Sequence, residues 1–100
     1  MAKYRIENVV VDTANATRSW KEKCRWNGSN RVGRSTGSQW LDQTLFRSRR
    51  GRYYLETLSR IQGVSDRAEW VSLQEATRWL LVNEHELPTE LEQCADEVSE

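Results

Sequence analysis

Four arginines crowd one short stretch of the chain: Arg47, Arg49, Arg50 and Arg52 surround Ser48 and Gly51. A guanidinium donates two parallel hydrogen bonds, so it suits carboxylate and phosphate alike. Tyr53 and Tyr54 follow at once and could stack or donate from the same edge. A second basic stretch, RSWKEKCRWNGSNRVGRSTGSQW over 18–40, places three tryptophans among six Lys/Arg. Aromatics between cations can make a platform for nucleic acid. The same pattern also describes a half-buried strand. Trp20, Cys24 and Trp26 share one strand parity, whereas Lys21, Lys23 and Arg25 take the other. Trp26 borders a Gly/Ser/Asn-rich segment that holds Arg31 and Arg34, and it is the tryptophan best placed for an exposed contact. The candidate binding residues are therefore Arg47, Arg49, Arg50, Arg52, Trp26, Arg31 and Arg34.

Catalysis finds little footing. The single histidine, His85, stands between Glu84 and Glu86 at an expected helix exit. With no second His and no paired Cys, a metal set is not expected. There is no P-loop and no GxGxxG. No spacing pairs Cys24 or Cys94 with His85 as nucleophile and base. No catalytic residue, metal ligand or cofactor site is assigned, and a non-enzymatic protein is expected.

Such residues need a scaffold, and length and composition allow one modest domain over 1–100. The chain is polar, with mean hydropathy −0.83 and 37% apolar residues. Five tryptophans nonetheless argue for a packed core. No stretch approaches the ~20 apolar residues of a membrane span. The start, MAKYRIENVVVD, has no signal-peptide pattern, so a cytoplasmic protein with free thiols is expected. Asn15-Ala16-Thr17 and Asn27-Gly28-Ser29 match the glycosylation sequon, which counts as chance without a secretory signal. The net charge is zero but unevenly spread. Residues 18–52 carry ten Lys/Arg against Glu22 and Asp42; residues 66–100 carry ten Asp/Glu against Arg67 and Arg78. Either these are two solvated faces, or the basic surface meets an acidic partner or the chain's own tail.

The spacing predicts strands first and helices last. KYRIENVVVD over 3–12 reads as one strand, with Tyr4, Ile6 and Val10 on one face and Val9 and Val11 on the other. Residues 17–26 read as a second strand and 27–38 as a mobile loop, with Trp40 anchoring its return. TLFRSRRGRYYLETLS reads as a hairpin whose Gly51 takes φ > 0. Residues 68–71 read as a short strand. Ser72-Leu73-Gln74-Glu75 is a capping box. Leu73, Ala76, Trp79 and Leu80 form the helix stripe, Leu81 and Val82 suggest packing on two sides, and Asn83 is the C-cap. Pro88 opens an acidic amphipathic helix over 88–100, with Leu91, Cys94, Ala95 and Val98 on its apolar face. The expected fold is α+β: a small antiparallel sheet of three to five strands with two short C-terminal helices packed on one face.

TLFRSRRGRYYLETLSRIQG followed by AEWVSLQEATRWLLVNEHELPTELE, residues 44–92, resembles a type of small bacterial protein with no assigned activity. The shared features are the Gly-turn hairpin, a short strand, an EAxxWL helix and a closing Leu-Pro. The resemblance implies a bacterial cytoplasmic setting and the order hairpin, strand, helix. It implies no activity, and it does not extend to the basic Trp segment.

The functional expectation is a small binding or regulatory protein that contacts a macromolecular partner through the basic hairpin and loop. A protein is the first candidate partner, and a homodimer is allowed. One alternative is a nucleic-acid binder using the Arg-rich hairpin and Trp26, although the pI of 6.6 lies below the ~9 of dedicated nucleic-acid domains. Another is a phage or mobile-element inhibitor of a host complex, its acidic helix imitating a phosphate backbone. The redox reading has a direct test: thiol counting in denaturant without reductant should find both Cys24 and Cys94 reactive, and neither reacting would place the chain in an oxidising compartment.

Overall fold

A computed structural model of the chain describes residues 3–28, 30–34, 36–38 and 40–92, with the side chains of 25–27, 30 and 31 left out of the description. The strands are β1 (Lys3–Ile6), β2 (Val9–Asp12), β3 (Arg18–Lys21), β4 (Cys24–Asn27), β5 (Asn30–Gly33), β6 (Leu41–Arg47), β7 (Tyr53–Ser59) and β8 (Arg67–Trp70). Among the described residues one α-helix of full length, α1 (Leu73–Val82), follows them. β3-β6-β7-β8 form a four-stranded antiparallel sheet; β1-β2 and β4-β5 are separate hairpins. The architecture is thus the expected α+β, with strands before helix. The order hairpin, strand, helix over β6 to α1 is also present.

The central strand β7 explains the layering. Residues 53–57 are all buried, so both faces of β7 are covered. One face carries Tyr53 and Leu55, which pack with Trp20, Leu45, Ala76, Trp79, Leu80 and Leu91 beneath α1. The opposite face carries Tyr54, which packs with Ile6 and Val11 and with the partly buried Tyr4, Phe46, Ala68 and Trp70. The N-terminal hairpin therefore covers the face that α1 leaves open. Alternation along β7 places its two adjacent tyrosines in different cores.

Three local expectations change. The strand expected over 3–12 is a hairpin, because Glu7 at φ 57° and Asn8 make a two-residue turn between Ile6 and Val9. The turn restarts the alternation, so Val10 faces outward at 68% exposure instead of joining Tyr4 and Ile6. The strand expected over 17–26 breaks at Glu22-Lys23, so Trp20 and the β4 residues do not share one strand face. The segment expected as a loop over 27–38 contains β5, paired antiparallel with β4.

The break at Glu22-Lys23 has a visible cause. The Glu22 amide makes a last ladder bond to the Gln43 carbonyl at 2.9 Å. The next amide, of Lys23, donates instead to Asn83 Oδ1 at 2.9 Å. The Glu22 carboxylate accepts from the Thr36 and Gln43 amides and lies against Gly33, where a Cβ would collide with it. Chain departure from the sheet is thus fixed from both sides.

The α1 boundaries follow the sequence closely. Ser72 and Glu75 exchange both capping-box hydrogen bonds. At the other end, the Glu84 amide donates to the Leu81 carbonyl and the His85 amide to the Leu80 carbonyl, with Glu84 at φ 59°. This is a Schellman motif with glutamate where glycine is usual. Asn83 is the C-cap and also a buried strut: its Nδ2 donates to the Trp79 carbonyl while its Oδ1 holds Lys23. The expected packing of Leu81 and Val82 on a second side is not found, since they are 44% and 48% exposed. Leu73 is likewise exposed, and Thr77 is buried in the helix face, donating to the Leu73 carbonyl. The ten-residue helix meets the core along one side only.

After α1 the chain makes a 3-10 turn, Thr89–Leu91, in place of the start of a second helix. Leu91 is fully buried and ties this segment to the α1 side of the sheet. Glu92 has helical backbone angles, and the rest of the expected 88–100 helix, with Cys94, lies outside the described residues.

Replacing Asn83 with Ala leaves the Lys23 amide unpaired in a part-buried position. A loss of about 2 kcal/mol is expected, seen as a fall in melting midpoint of roughly 10 °C. Glu84→Gly should instead raise the midpoint by a few degrees, because glycine adopts the left-handed angles without steric cost. Denaturation followed by circular dichroism measures both.

Candidate binding groove

The β6-β7 loop forms as its residues dictate. The Gly51 amide donates to the Ser48 carbonyl, the Ser48 amide to the Arg52 carbonyl, and the Arg52 amide to Ser48 Oγ. Gly51 takes φ 89°, as the turn requires. The four arginines then separate by role.

Arg47 is committed to the fold. Its Nε donates to Glu90 Oε1 at 2.8 Å and its Nη1 to Thr17 Oγ1 at 3.1 Å. Tyr53 Oη donates to the same Glu90 oxygen at 2.7 Å. Arg52 stacks on the indole of Trp70, its Cζ 3.9 Å from the ring centroid. Arg49 and Arg50 are exposed at the tip and form no ion pair with a described residue.

Beside this tip lies a groove of about 510 Å³, between the β1-β2 hairpin and the β6-β7 loop. Arg49, Arg50 and Arg52 line one side and Lys3 joins them from β1. Val9, Val10 and Val11 supply an apolar wall, and Tyr54 and Trp70 also contribute. Asp12 is the one carboxylate among the described lining residues, and its Oδ1 accepts from the Ala14 amide. The described lining thus carries four cations, Lys3, Arg49, Arg50 and Arg52, against Asp12, next to exposed apolar surface at Val9 and Val10.

Two polar atoms here are buried without a hydrogen-bond partner among the described residues: Tyr54 Oη and Trp70 Nε1. Leaving such a group unpaired costs about 1–3 kcal/mol. Tyr54 stacks on Phe46 and meets Trp70 edge-on at 5.9 Å, so packing holds both rings in place. Burial pushes the Tyr54 hydroxyl up to about 12, with the charges of Glu56 and Asp12 adding to the effect. Burial also raises Tyr4 and Tyr53, and each is raised further by donating to a carboxylate, Glu56 and Glu90 respectively.

The remaining sequence candidates lie elsewhere. Arg34 pairs with Glu84 at 3.2 Å, beyond the C-terminus of α1. That contact adjoins Gln43 of β6, whereas the arginine tip follows Arg47, four residues and about 13 Å further along the strand. Trp26 and Arg31 are backbone partners across the β4-β5 hairpin, and their side chains lie outside the described residues. Trp40, expected to anchor a loop, is 52% exposed. Trp20 and Trp79 are in the core, and Trp70 is partly buried in the second cluster. Sequence reading missed Lys3, Val9, Val10, Val11 and Trp70 as a set. The three-valine run was the available signal, since a short alternating strand must turn one of them outward.

His85 and Cys24 show no catalytic arrangement. His85 stacks on Trp79 and its Nε2 donates to the Lys21 carbonyl at 2.7 Å. Cys24 is a half-buried free thiol. Among the described residues no three His, Cys, Asp or Glu side chains group to hold a metal, and no helix is long and apolar enough to cross a membrane.

All three tyrosines of the chain titrate high, which gives a pH prediction with a definite sign. An unfolded tyrosine ionises near 10. Between that value and the raised folded ones, the folded state holds more protons, so stability falls as pH rises. The stabilising contribution is complete below about pH 9.5. Absorbance at 295 nm should show almost no tyrosinate at pH 10.5 while circular dichroism stays native; the urea-unfolded chain should be about three-quarters ionised there. Ordinary ionisation in an intact fold would contradict the burial and carboxylate contacts that raise these hydroxyls.

No protein-family model matches this chain, and neither does a curated protein or a solved structure.

Proposed function

We propose that the chain is a non-enzymatic binding protein that engages another protein through the arginine tip and the groove beside it. One observation carries this reading: Arg49 and Arg50, without ion pairs to described residues, border a concave apolar wall that includes the exposed Val9 and Val10. Cations beside exposed valines complement an acidic surface that also presents apolar side chains.

The nucleic-acid alternative draws on the same cations. It needs flat aromatic faces for stacking bases. Tyr53 and Tyr54 are each 1% exposed, and the indole face of Trp70 is taken by Arg52. The geometry at the tip thus favours a protein partner. A cytoplasmic setting belongs to the same proposal.

The charge split has an internal use as well. Arg34-Glu84 and Arg47-Glu90 join the basic segment to the acidic one, which supports the chain's own acidic half as a partial shield for its basic surface. Arg49 and Arg50 lie outside these pairs.

Arg49→Glu combined with Arg50→Glu should abolish capture of the partner from bacterial lysate. The melting midpoint should move by less than about 2 °C, because exposed turn charges contribute little to stability. Capture by the unmodified chain should survive nuclease and weaken only modestly with salt. Nuclease-sensitive capture with a steep salt dependence would mark counterion release and the nucleic-acid reading instead.

A further inference from the structure

We propose that the groove is a carboxylate-reading site, taking an acidic side chain from an apolar-flanked peptide segment, with Tyr54 Oη and Trp70 Nε1 as the specificity donors beneath an arginine rim. The inference rests on the binding reading above and names the chemistry of the partner's contact.

Ligand sites combine apolar walls with a few placed polar groups, in volumes of roughly 300–1,000 Å³. The groove, at about 510 Å³, fits that description. Its lining includes Tyr54, a side chain 1% exposed whose hydroxyl has no described partner, and Trp70, whose indole N–H has none either. An indole nitrogen can only donate. A phenol held above its usual ionisation keeps its proton for donation. The complement of both is an acceptor-only group, and an ionised carboxylate is one.

Arg52 connects rim and floor. Its guanidinium lies over the Trp70 ring, so an anion paired with Arg52 sits beside the same indole. Arg49, Arg50 and Lys3 supply further positive charge, which offsets the Asp12 and Glu56 carboxylates whose charges reach the Tyr54 hydroxyl. The valine wall demands apolar neighbours for the carboxylate. A bare phosphate backbone offers none, which favours an acidic peptide segment over a nucleic acid.

The test uses the full chain labelled with ¹⁵N. The probe is an acetylated, amidated peptide alternating glutamate and leucine; its glutamine counterpart and an oligodeoxythymidine are the comparisons. The Trp70 indole resonance is assigned by its loss in Trp70→Phe. The expected result is a saturable downfield shift of that resonance with the glutamate peptide, together with shifts of the Arg49 and Arg50 amides. The glutamine peptide should give neither. Tyr54→Phe should weaken the glutamate peptide about tenfold, the size of one hydrogen bond to a charged group. It should leave the melting midpoint unchanged or higher, since the lost hydroxyl has no partner. Rim shifts with a still indole would overturn this proposal and leave the binding reading standing. An indole shift with oligodeoxythymidine alone would overturn it in favour of phosphate. A glutamate peptide that moves neither rim nor floor would overturn both readings.

Discussion

Everything in this fold answers to the burial of β7 on both faces. A strand with Tyr53 and Leu55 on one side and Tyr54 and Glu56 on the other, all buried, requires two covers. α1 supplies the first, through Ala76, Trp79 and Leu80, with Leu91 from the segment that follows. The β1-β2 hairpin supplies the second, through Ile6 and Val11. The second cover is only four residues long per strand, too short to seal the sheet face along its full length. The groove lies where that hairpin and the β6-β7 tip meet imperfectly.

Polar groups on the two faces are treated differently. On the α1 side, Tyr53 Oη has Glu90, Trp79 Nε1 has Gln43 Oε1, and Asn83 satisfies both its amide ends. On the hairpin side, Tyr4 Oη donates to the buried Glu56, but Tyr54 Oη and Trp70 Nε1 have no described partner. Buried polar groups in native proteins are nearly all paired, so the exceptions carry information. Here they coincide with the concave, positively charged surface. The charges follow the same division: Arg34 and Arg47 pair with the acidic half of the chain, whereas Arg49 and Arg50 remain at the groove.

The elements written in local chemistry were legible in advance. The capping box at Ser72, the end of α1 at Asn83 and the Gly51 turn depend on residues within a few positions of one another. The α+β class followed from strands preceding the helix. What escaped depends on distant partners. The break after β3 is made by Asn83, sixty positions on, capturing the Lys23 amide. The turn at Glu7-Asn8 lacks a glycine, and its hairpin is held by distant partners, Ile6 and Val11 on Tyr54 and Tyr4 on Glu56. The site divided in the same way. Arg49 and Arg50 stood out by composition, but nothing local tells that Arg47 is spent on Glu90 or Arg52 on Trp70. Lys3 and the valines enter the site only through the hairpin's position over the sheet.

The central claim is that the partner lies against the groove between the β1-β2 hairpin and the β6-β7 loop. A photo-crosslinking residue placed at Val10, in the groove wall, tests it against one placed at Val82, on the far side of α1; both positions are well exposed. The account predicts a protein crosslink from Val10 that disappears when Arg49 and Arg50 become glutamate, and none from Val82. Equal crosslinking from both positions, or a Val10 product indifferent to the two arginines, would contradict it.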